Sequence, residues 1–225
     1  MVEIGPGLGA LTGRLLDQSG ELDVIELDRD LARELPSRMA QSAGLKIHQA
    51  DALKFDFRSL GTTDRRLRIV GNLPYNISSP LLFRLLEQRD VIQDMHFMLQ
   101  LEVVNRLVAA PNSRTYGRLS IVTQLLCETD KLFEVEPSAF TPAPKVRSAV
   151  IRLGIRKQPA AAISDEACFD NLVRRAFSQR RKTLRNALRS VVSSAQWEAC
   201  GIDPGRRAET LHLVDFARLS NEVSG

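Results

Sequence analysis

Through residue 153 the chain alternates between two hydrophobic periodicities. Short apolar, β-rich runs fall at 2–4, 23–27, 45–48, 68–71 and 95–99. Between them, stretches 9–18, 29–40 and 79–88 place apolar residues at helical spacing, the last opening on Ser-Ser-Pro as a helix start. This strand–helix rhythm predicts an α/β fold with a mostly parallel sheet covered on both faces. Runs 131–135 and 148–153 are joined through Phe140-Thr-Pro-Ala-Pro144 without an intervening helix. They read as an antiparallel pair at the sheet edge.

The pattern changes at 156–164, a linker holding Gln158-Pro159 and three alanines. Beyond it the β signal stops, and 165–177, 180–192 and 213–223 read as helices, with Gly201-Ile-Asp-Pro-Gly205 as a turn. The predicted organisation is an α/β domain over 1–155, the linker, and a small all-helical domain over 165–225. A length of 225 residues suffices for both. Apolar residues at 44% and charged residues at 26% exclude disordered and fibrous classes. No apolar run approaches a membrane span and no signal-peptide pattern opens the chain. Cys127, Cys168 and Cys200 are too few and too scattered for a disulfide framework or a zinc site, which predicts a reduced, cytoplasmic setting. His48, His96 and His212 lack metal-ligand spacing, so no metal is expected. Trp197 reads as the anchor of the helical domain, and Asn76, Ser78 and Ser79 as caps of the helix that follows them.

Charge divides along the same line. Residues 1–153 hold 19 basic and 19 acidic side chains, whereas 154–225 hold 12 and 8. The whole excess of +4 therefore belongs to the last third, as it would if that end met a polyanion or simply presented a solvated basic face. Seven basic residues and no acidic one occupy 174–189. On a helix turning about 100° per residue, Arg181, Lys182, Arg185 and Arg189 share one face, with Leu184 and Leu188 beside it to dock on the domain. Such a face suits the phosphates of folded RNA.

Candidate chemistry gathers at the ends of the predicted strands. Glu3-Ile-Gly5-Pro-Gly7-Leu-Gly9 lies between the first strand and a helix, where glycines let backbone N–H groups approach a ligand closely. Alone it could be a tight turn. Glu26 follows 21 residues after Gly5, at the end of the second strand, where a carboxylate can accept both hydroxyls of a ribose. The Gly-x-Gly-x-Gly spacing and the negative Glu3 suit a cationic methionine portion better than a diphosphate, which points to S-adenosylmethionine. Asp51, after the third strand and followed by Ala52, is placed to accept from an adenine amine, or else to cap a helix.

Asn72-Leu73-Pro74-Tyr75 ends the fourth strand. The lone pair of an aromatic exocyclic amine is delocalised into its ring, so a site that makes it attack a methyl group must accept its N–H bonds and aim the lone pair. Asn72 offers a side-chain carbonyl, with the Leu73 and Pro74 carbonyls alongside, and Pro74 biases Leu73 towards extended geometry. Tyr75 offers a face on which a base can stack. Catalysis here would be mostly positioning and electrostatics.

These stretches bring the chain to a known family. With Val24-Ile-Glu-Leu-Asp28, Val70-Gly-Asn-Leu-Pro-Tyr-Asn-Ile-Ser78, Phe140-Thr-Pro-Ala-Pro-Lys-Val146 and Phe177-Ser-Gln-Arg-Arg-Lys-Thr-Leu-Arg-Asn186, it resembles the small-subunit ribosomal RNA adenine dimethyltransferases (the KsgA type) along essentially its whole length. The resemblance implies a class I methyltransferase, Rossmann-like domain with an S-adenosyl-L-methionine site at Gly5, Gly7, Glu26, Asp51, Ala52 and Asn72. Asn72, Leu73, Pro74 and Tyr75 would be catalytic, and Tyr75 and Phe140 would flank the target base. Arg180, Arg181, Lys182, Arg185 and Arg189 would bind RNA. The reaction implied is dimethylation of two adjacent adenines near the 3′ end of 16S rRNA within an immature 30S subunit, by a cytoplasmic protein expected to act as a monomer.

The family carries a helical segment with an Asn-Phe-Leu stretch ahead of the first strand, and nothing here matches it. The expectation is a chain lacking its N-terminal segment, with weaker cofactor binding than a version extended upstream. Two other readings stand beside the enzyme: a fragment that binds pre-ribosomes without methylating, and a related methyltransferase of large-subunit rRNA or DNA adenine.

Overall fold

The computed structural model describes residues 1–39, 43–74 and 76–225. Seven strands form one sheet: β1 (Val2–Ile4), β2 (Leu22–Glu26), β3 (Leu45–Gln49), β4 (Leu67–Asn72), β5 (Ile92–Gln100), β6 (Cys127–Val135) and β7 (Ser148–Ile155). Their order is β3-β2-β1-β4-β5-β7-β6. The β1–β2, β1–β4, β2–β3 and β4–β5 pairs are parallel, whereas β7 runs antiparallel to β5, with β6 outside it. The mostly parallel sheet with an antiparallel edge matches the sequence reading. Every residue of β1 is buried, as expected of a central strand covered on both faces. By contrast β4 alternates, with Leu67, Ile69 and Gly71 inward.

Helices α1 (Thr12–Ser19), α2 (Arg29–Glu34) and α3 (Ser78–Glu87) follow β1, β2 and β4. Leu16 of α1 packs with Leu22, Val24 and Leu35, and α3 buries Leu81, Leu82, Leu85 and Leu86. Two bounds differ from expectation for backbone reasons. The first helix starts at Thr12 rather than residue 9, because Gly5, Gly7 and Gly9 all have positive φ, which no helical turn accommodates. The second gives way after Glu34 to a 3-10 turn over Leu35–Arg38 containing Pro36, which has no N–H to continue the ladder; residue 40, its expected end, lies outside the described residues.

Gly71 fixes how closely β4 approaches β1. A Cβ there would sit 2.7 Å from the Ile4 carbonyl oxygen, a backbone atom that cannot turn aside. Gly71→Ala is expected to cost about 1–3 kcal/mol of stability. It should also lower methyl transfer by displacing Asn72, the next residue. A denaturant midpoint unchanged from the unsubstituted chain would refute the close-approach argument.

The chain divides into two compact units, residues 1–104 with 130–155, and residues 105–129 with 156–225. The second unit thus takes in a stretch that the sequence reading assigned to the first domain. It includes the end of α4 (Leu101–Leu107) and the whole of α5 (Arg118–Leu126). Side-chain bonds explain the grouping. Arg118 bonds Asp170 through two nitrogens, at 3.0 and 2.8 Å, and Gln124 Nε2 donates to the Leu107 and Ala109 carbonyls. The expected linker is anchored too: Arg156 and Ala160 donate to the Leu126 and Leu125 carbonyls, and Asn221 bonds Ala162 and Ser164.

The second unit is helical, with α6 (Glu166–Ser178), α7 (Leu184–Ala187), α8 (Ser194–Cys200) and α9 (Leu213–Ser224). Asp165 caps α6, accepting from the Ala167 and Cys168 N–H groups. Phe169, Leu172 and Val173 of α6 and Phe216 and Leu219 of α9 are buried; the Phe177 ring meets Tyr116 edge to face and Phe216 at a tilt. Burial pushes the Tyr116 hydroxyl up to about 12. Trp197 is buried, as its predicted anchoring role requires.

The expected continuous helix over 180–192 is not present. Only Leu184–Ala187 is α-helical. Thr183 bridges to Arg207, Leu184 donates to the Arg206 carbonyl, and Arg185 donates to the Pro204 carbonyl. Backbone donors that would close helical turns are spent on a distant segment. Among the described residues, no helix is long and apolar enough to cross a membrane.

Candidate active site

The strand order reverses direction between β1 and β4, since β1 leads to β2 on one side and β4 to β5 on the other. At such a switch point the loops leaving the carboxyl ends diverge and open a crevice. Val2 and Glu3 pair in register with Ile69 and Val70, so the glycine loop after β1 and the Asn72 turn after β4 leave the sheet side by side. Glu26 ends β2, and Asp51 follows β3 two residues after the strand.

The glycine loop is held from below. Gly5 N–H donates to the Ile25 carbonyl at 2.9 Å and Gly9 N–H to the Pro6 carbonyl at 3.0 Å. Glu26 is 7% exposed, and its two oxygens face different donors: Oε2 accepts from Gly7 N–H at 3.3 Å and Oε1 from Asp28 N–H at 2.9 Å. Each oxygen keeps a further lone pair for a ligand hydroxyl. Asp28 itself caps α2, accepting from Asp30 and Leu31.

Glu3 is 2% exposed and its Oε2 has no hydrogen-bond partner, nor has the buried Thr12 hydroxyl. Desolvation raises the Glu3 pKa; nearby Thr12 lowers it in part without reaching hydrogen-bond geometry, and the Glu26 charge adds to the rise. A buried, unpartnered carboxylate beside a glycine loop fits a cationic ligand group.

The raised value has a consequence for stability. The folded chain holds the Glu3 proton more tightly than the unfolded chain. That contribution is fully present below the ordinary carboxylate pKa and is lost as pH rises through the raised one. Above the raised pKa the buried anion therefore opposes folding of the ligand-free chain. Glu3→Gln should raise its melting temperature at pH 8, with the gain shrinking towards pH 4. Parallel melting curves for both chains across that range would show the argument to be wrong.

Asp51 accepts from Leu53 N–H through Oδ1 at 2.9 Å, and its carbonyl accepts from Lys54 and Phe55. Asp51 heads a turn rather than a helix, so the helix-capping alternative is not realised (the next helical turn, Phe57–Ser59, is capped by Asp56). Among the described residues its Oδ2 has only Lys54 Nζ at 4.0 Å, an exposed partner. Ala52 is buried beside it.

Asn72 closes β4 and is exposed at the strand end. Leu73 is 1% exposed, and its N–H continues the ladder to the Met98 carbonyl at 3.3 Å. The Pro74 carbonyl accepts from Ile77 N–H at 3.2 Å and from Ser78 Oγ at 3.0 Å. Both of its lone pairs are engaged, so among the described residues the acceptor pair free at this turn is the Asn72 side chain and the Leu73 carbonyl. Ser78 was expected only to cap; instead it is buried within α3 and ties down the turn, a role visible only once the fold brings Oγ back over Pro74. Tyr75 lies outside the described residues. Phe140 is half-buried after a 3-10 turn, its N–H bonded to the Pro137 carbonyl.

A family model described as ribosomal RNA adenine dimethylase matches residues 1–224. The chain belongs to that family. It is accordingly a methyl-transfer enzyme of ribosomal RNA adenine. Among its relatives, the ribosomal RNA small subunit methyltransferase A of Chromohalobacter salexigens is 52% identical over 228 residues, covering 100% of this chain and 81% of that protein. Its counterpart in Nitrosococcus oceani is 54% identical, covering 98% and 83%. Among solved structures, a dimethyladenosine transferase from Plasmodium falciparum superposes with a TM-score of 0.81 at 27% identity, over 97% of this chain and 87% of that one. The 23S rRNA methyltransferase ErmE shares the fold, with a TM-score of 0.71 at 24% identity over 100% and 90%.

The basic residues of the helical unit do not lie along one helix. Arg180 is engaged, with Nε on Glu209 at 2.8 Å and a terminal nitrogen on the Ser113 carbonyl. Arg181 and Lys182 lie exposed on the turn after α6, whereas Arg185 and Arg189 project from α7 and just beyond it.

Proposed function

We propose that the chain uses S-adenosyl-L-methionine to dimethylate two adjacent adenines near the 3′ end of 16S rRNA, acting as a cytoplasmic monomer on an immature 30S subunit. The observation that carries this reading is the meeting, at one switch point, of a glycine loop beside the unpartnered Glu3 carboxylate with the Asn72–Leu73 acceptor pair. Family membership supplies the substrate class.

The donor set fits that cofactor. The loop from Gly5 to Gly9 with Glu3 would hold the methionine end, Glu26 the ribose hydroxyls, and Asp51 with Ala52 the adenine. Bound there, the cofactor supplies an electrophilic methyl group. Asn72 and the Leu73 carbonyl accept from the N–H groups of the target amine and so turn its lone pair towards the crevice. No protein base is needed, since the spare amine proton passes to solvent. Tyr75 and Phe140 would hold the base ring between them, and exposed Arg181, Lys182, Arg185 and Arg189 would meet RNA phosphates.

Labelled methyl transfer offered to 30S particles, 50S particles and duplex DNA tests the reading. Label is expected in the small-subunit rRNA, and label confined to 50S particles or DNA would overturn it. Reversing Arg181 and Lys182 together to Glu should weaken 30S binding and flatten its salt dependence, by about one unit of slope for each phosphate left without its cation. Unchanged binding across salt concentrations would remove these two residues from the interface.

A further inference from the structure

The helical unit contains a cavity of about 630 Å³ that methyl transfer leaves unused. Its floor is apolar: Val192, Trp197 and Ile202 line it and all are buried. Its rim is charged, with exposed Arg185, Arg189, Glu198 and Asp203. The size lies within the range of roughly 300–1,000 Å³ usual for small-ligand sites.

The rim groups are firmly placed. Buried Leu184 and Leu188 root the segment that presents Arg185 and Arg189, and Arg185 N–H bonds the Pro204 carbonyl at 2.9 Å. Asp203 Oδ1 accepts from Gly205 N–H at 2.8 Å, and among the described residues Oδ2 has no partner. Glu198 rides on α8, whose start is closed by the reciprocal Ser193–Gln196 bonds. Among the described residues neither guanidinium has an ion pair or a side-chain hydrogen bond, and Glu198 has neither. Two cations and two anions therefore rim one cavity without pairing.

A ligand that matches must carry an anion, N–H donors and a flat apolar body together. A nucleotide does so: phosphate on the arginines, base amine on the carboxylates, ring over the Trp197 floor. An acidic peptide would set its own charge against Glu198 and Asp203. A base within a duplex would have its Watson–Crick edge occupied and its faces stacked. We propose that this cavity receives one unstacked nucleotide of the RNA substrate, carrying an amine-bearing base such as cytosine rather than uracil. The site rests on the RNA-binding reading above and adds to it a base-selective contact remote in sequence from the Asn72 turn. Uracil fits less well because its two carbonyls flank its single N–H and would face the carboxylates.

Trp197 is the sole tryptophan of the chain, so its emission reports directly on this cavity. The full chain is titrated with oligocytidylate and oligouridylate of equal length, with free N-acetyltryptophanamide correcting for absorbance. A saturable emission change is expected with oligocytidylate, at least about fivefold weaker in apparent affinity with oligouridylate. Arg185→Gln with Arg189→Gln should abolish it. Glu198→Gln with Asp203→Asn should keep binding and remove the preference. These are exposed side chains, and an unshifted emission maximum before titration verifies the fold of each variant. No saturable change with either oligonucleotide, or equal affinity for both, would overturn the proposal. Binding to 30S particles, measured in parallel with the Arg181 and Lys182 reversal, separates the two readings. If 30S binding persists without a Trp197 response, the cavity proposal alone fails; if the unsubstituted chain binds no 30S particle, the RNA-binding reading fails.

Discussion

Asn72→Ala is expected to lower the rate of methyl transfer to 30S particles by about 10²–10³-fold, the scale of losing one preorganised polar group at a reacting centre. The loss should fall on kcat, because in the proposed function the side chain acts on the amine as it becomes a nucleophile. The group is rigidly aimed. Asn72 ends a strand flanked on both sides by parallel neighbours, and the residue after it is locked by a buried side chain and a ladder bond to Met98. Two further bonds, from Ile77 and Ser78 to the Pro74 carbonyl, hold the far side of the turn. Asn72→Asp keeps a side-chain acceptor and should retain more activity than the alanine variant. Asn72 is exposed, so neither change should move the melting temperature by more than a few degrees. A loss below tenfold with alanine, or an aspartate variant no better than alanine, would show that the side-chain acceptor does not do this work.

Some of this site was legible because its signals are local. Three glycines with one acidic neighbour predict a loop of positive φ, and β1, β2, β3 and β4 each end close to the carboxylate or amide singled out beside them. Reading failed where the deciding partner was distant. Nothing in Arg181–Arg189 announces that Thr183 will bridge to Arg207 or that Arg185 will donate to Pro204, so a basic amphipathic run passed for one helix. The stretch Arg118–Leu126 carries Ile121, Val122 and Thr123 and runs into β6 without a breaker, so no helix was expected there. Its place in the second unit follows from Arg118 meeting Asp170, a pairing no spacing rule reveals. The acceptor set at the Asn72 turn shows the same limit at smaller scale: the motif names three carbonyls, and only the fold tells which one Ser78 has already taken.

Glu26→Gln should cost about 10²-fold in cofactor affinity, more than its nearly unchanged shape suggests. Both oxygens of the native carboxylate accept from backbone N–H groups, Gly7 on one and Asp28 on the other. An amide presents one oxygen and one NH₂, so in either orientation a donor must face a donor. If the nitrogen turns towards Gly7, the glycine loop loses one of its ties to β2 and keeps the Gly5–Ile25 bond; if towards Asp28, the capped start of α2 is disturbed. The same exchange removes the negative charge that, in the proposed function, would strengthen bonds to ribose hydroxyls, each worth about 1.5–3 kcal/mol. Losing one such bond together with the Gly7 bond gives the expected factor, since each 1.4 kcal/mol is tenfold. Glu26→Asp tests the other half of the argument, because it keeps the charge but shortens the reach to Gly7. Calorimetric titration of S-adenosyl-L-methionine into the three chains measures the ratios. If glutamine binds within a few-fold of the native side chain while aspartate fails, reach alone matters and the charge-and-acceptor account of Glu26 is wrong.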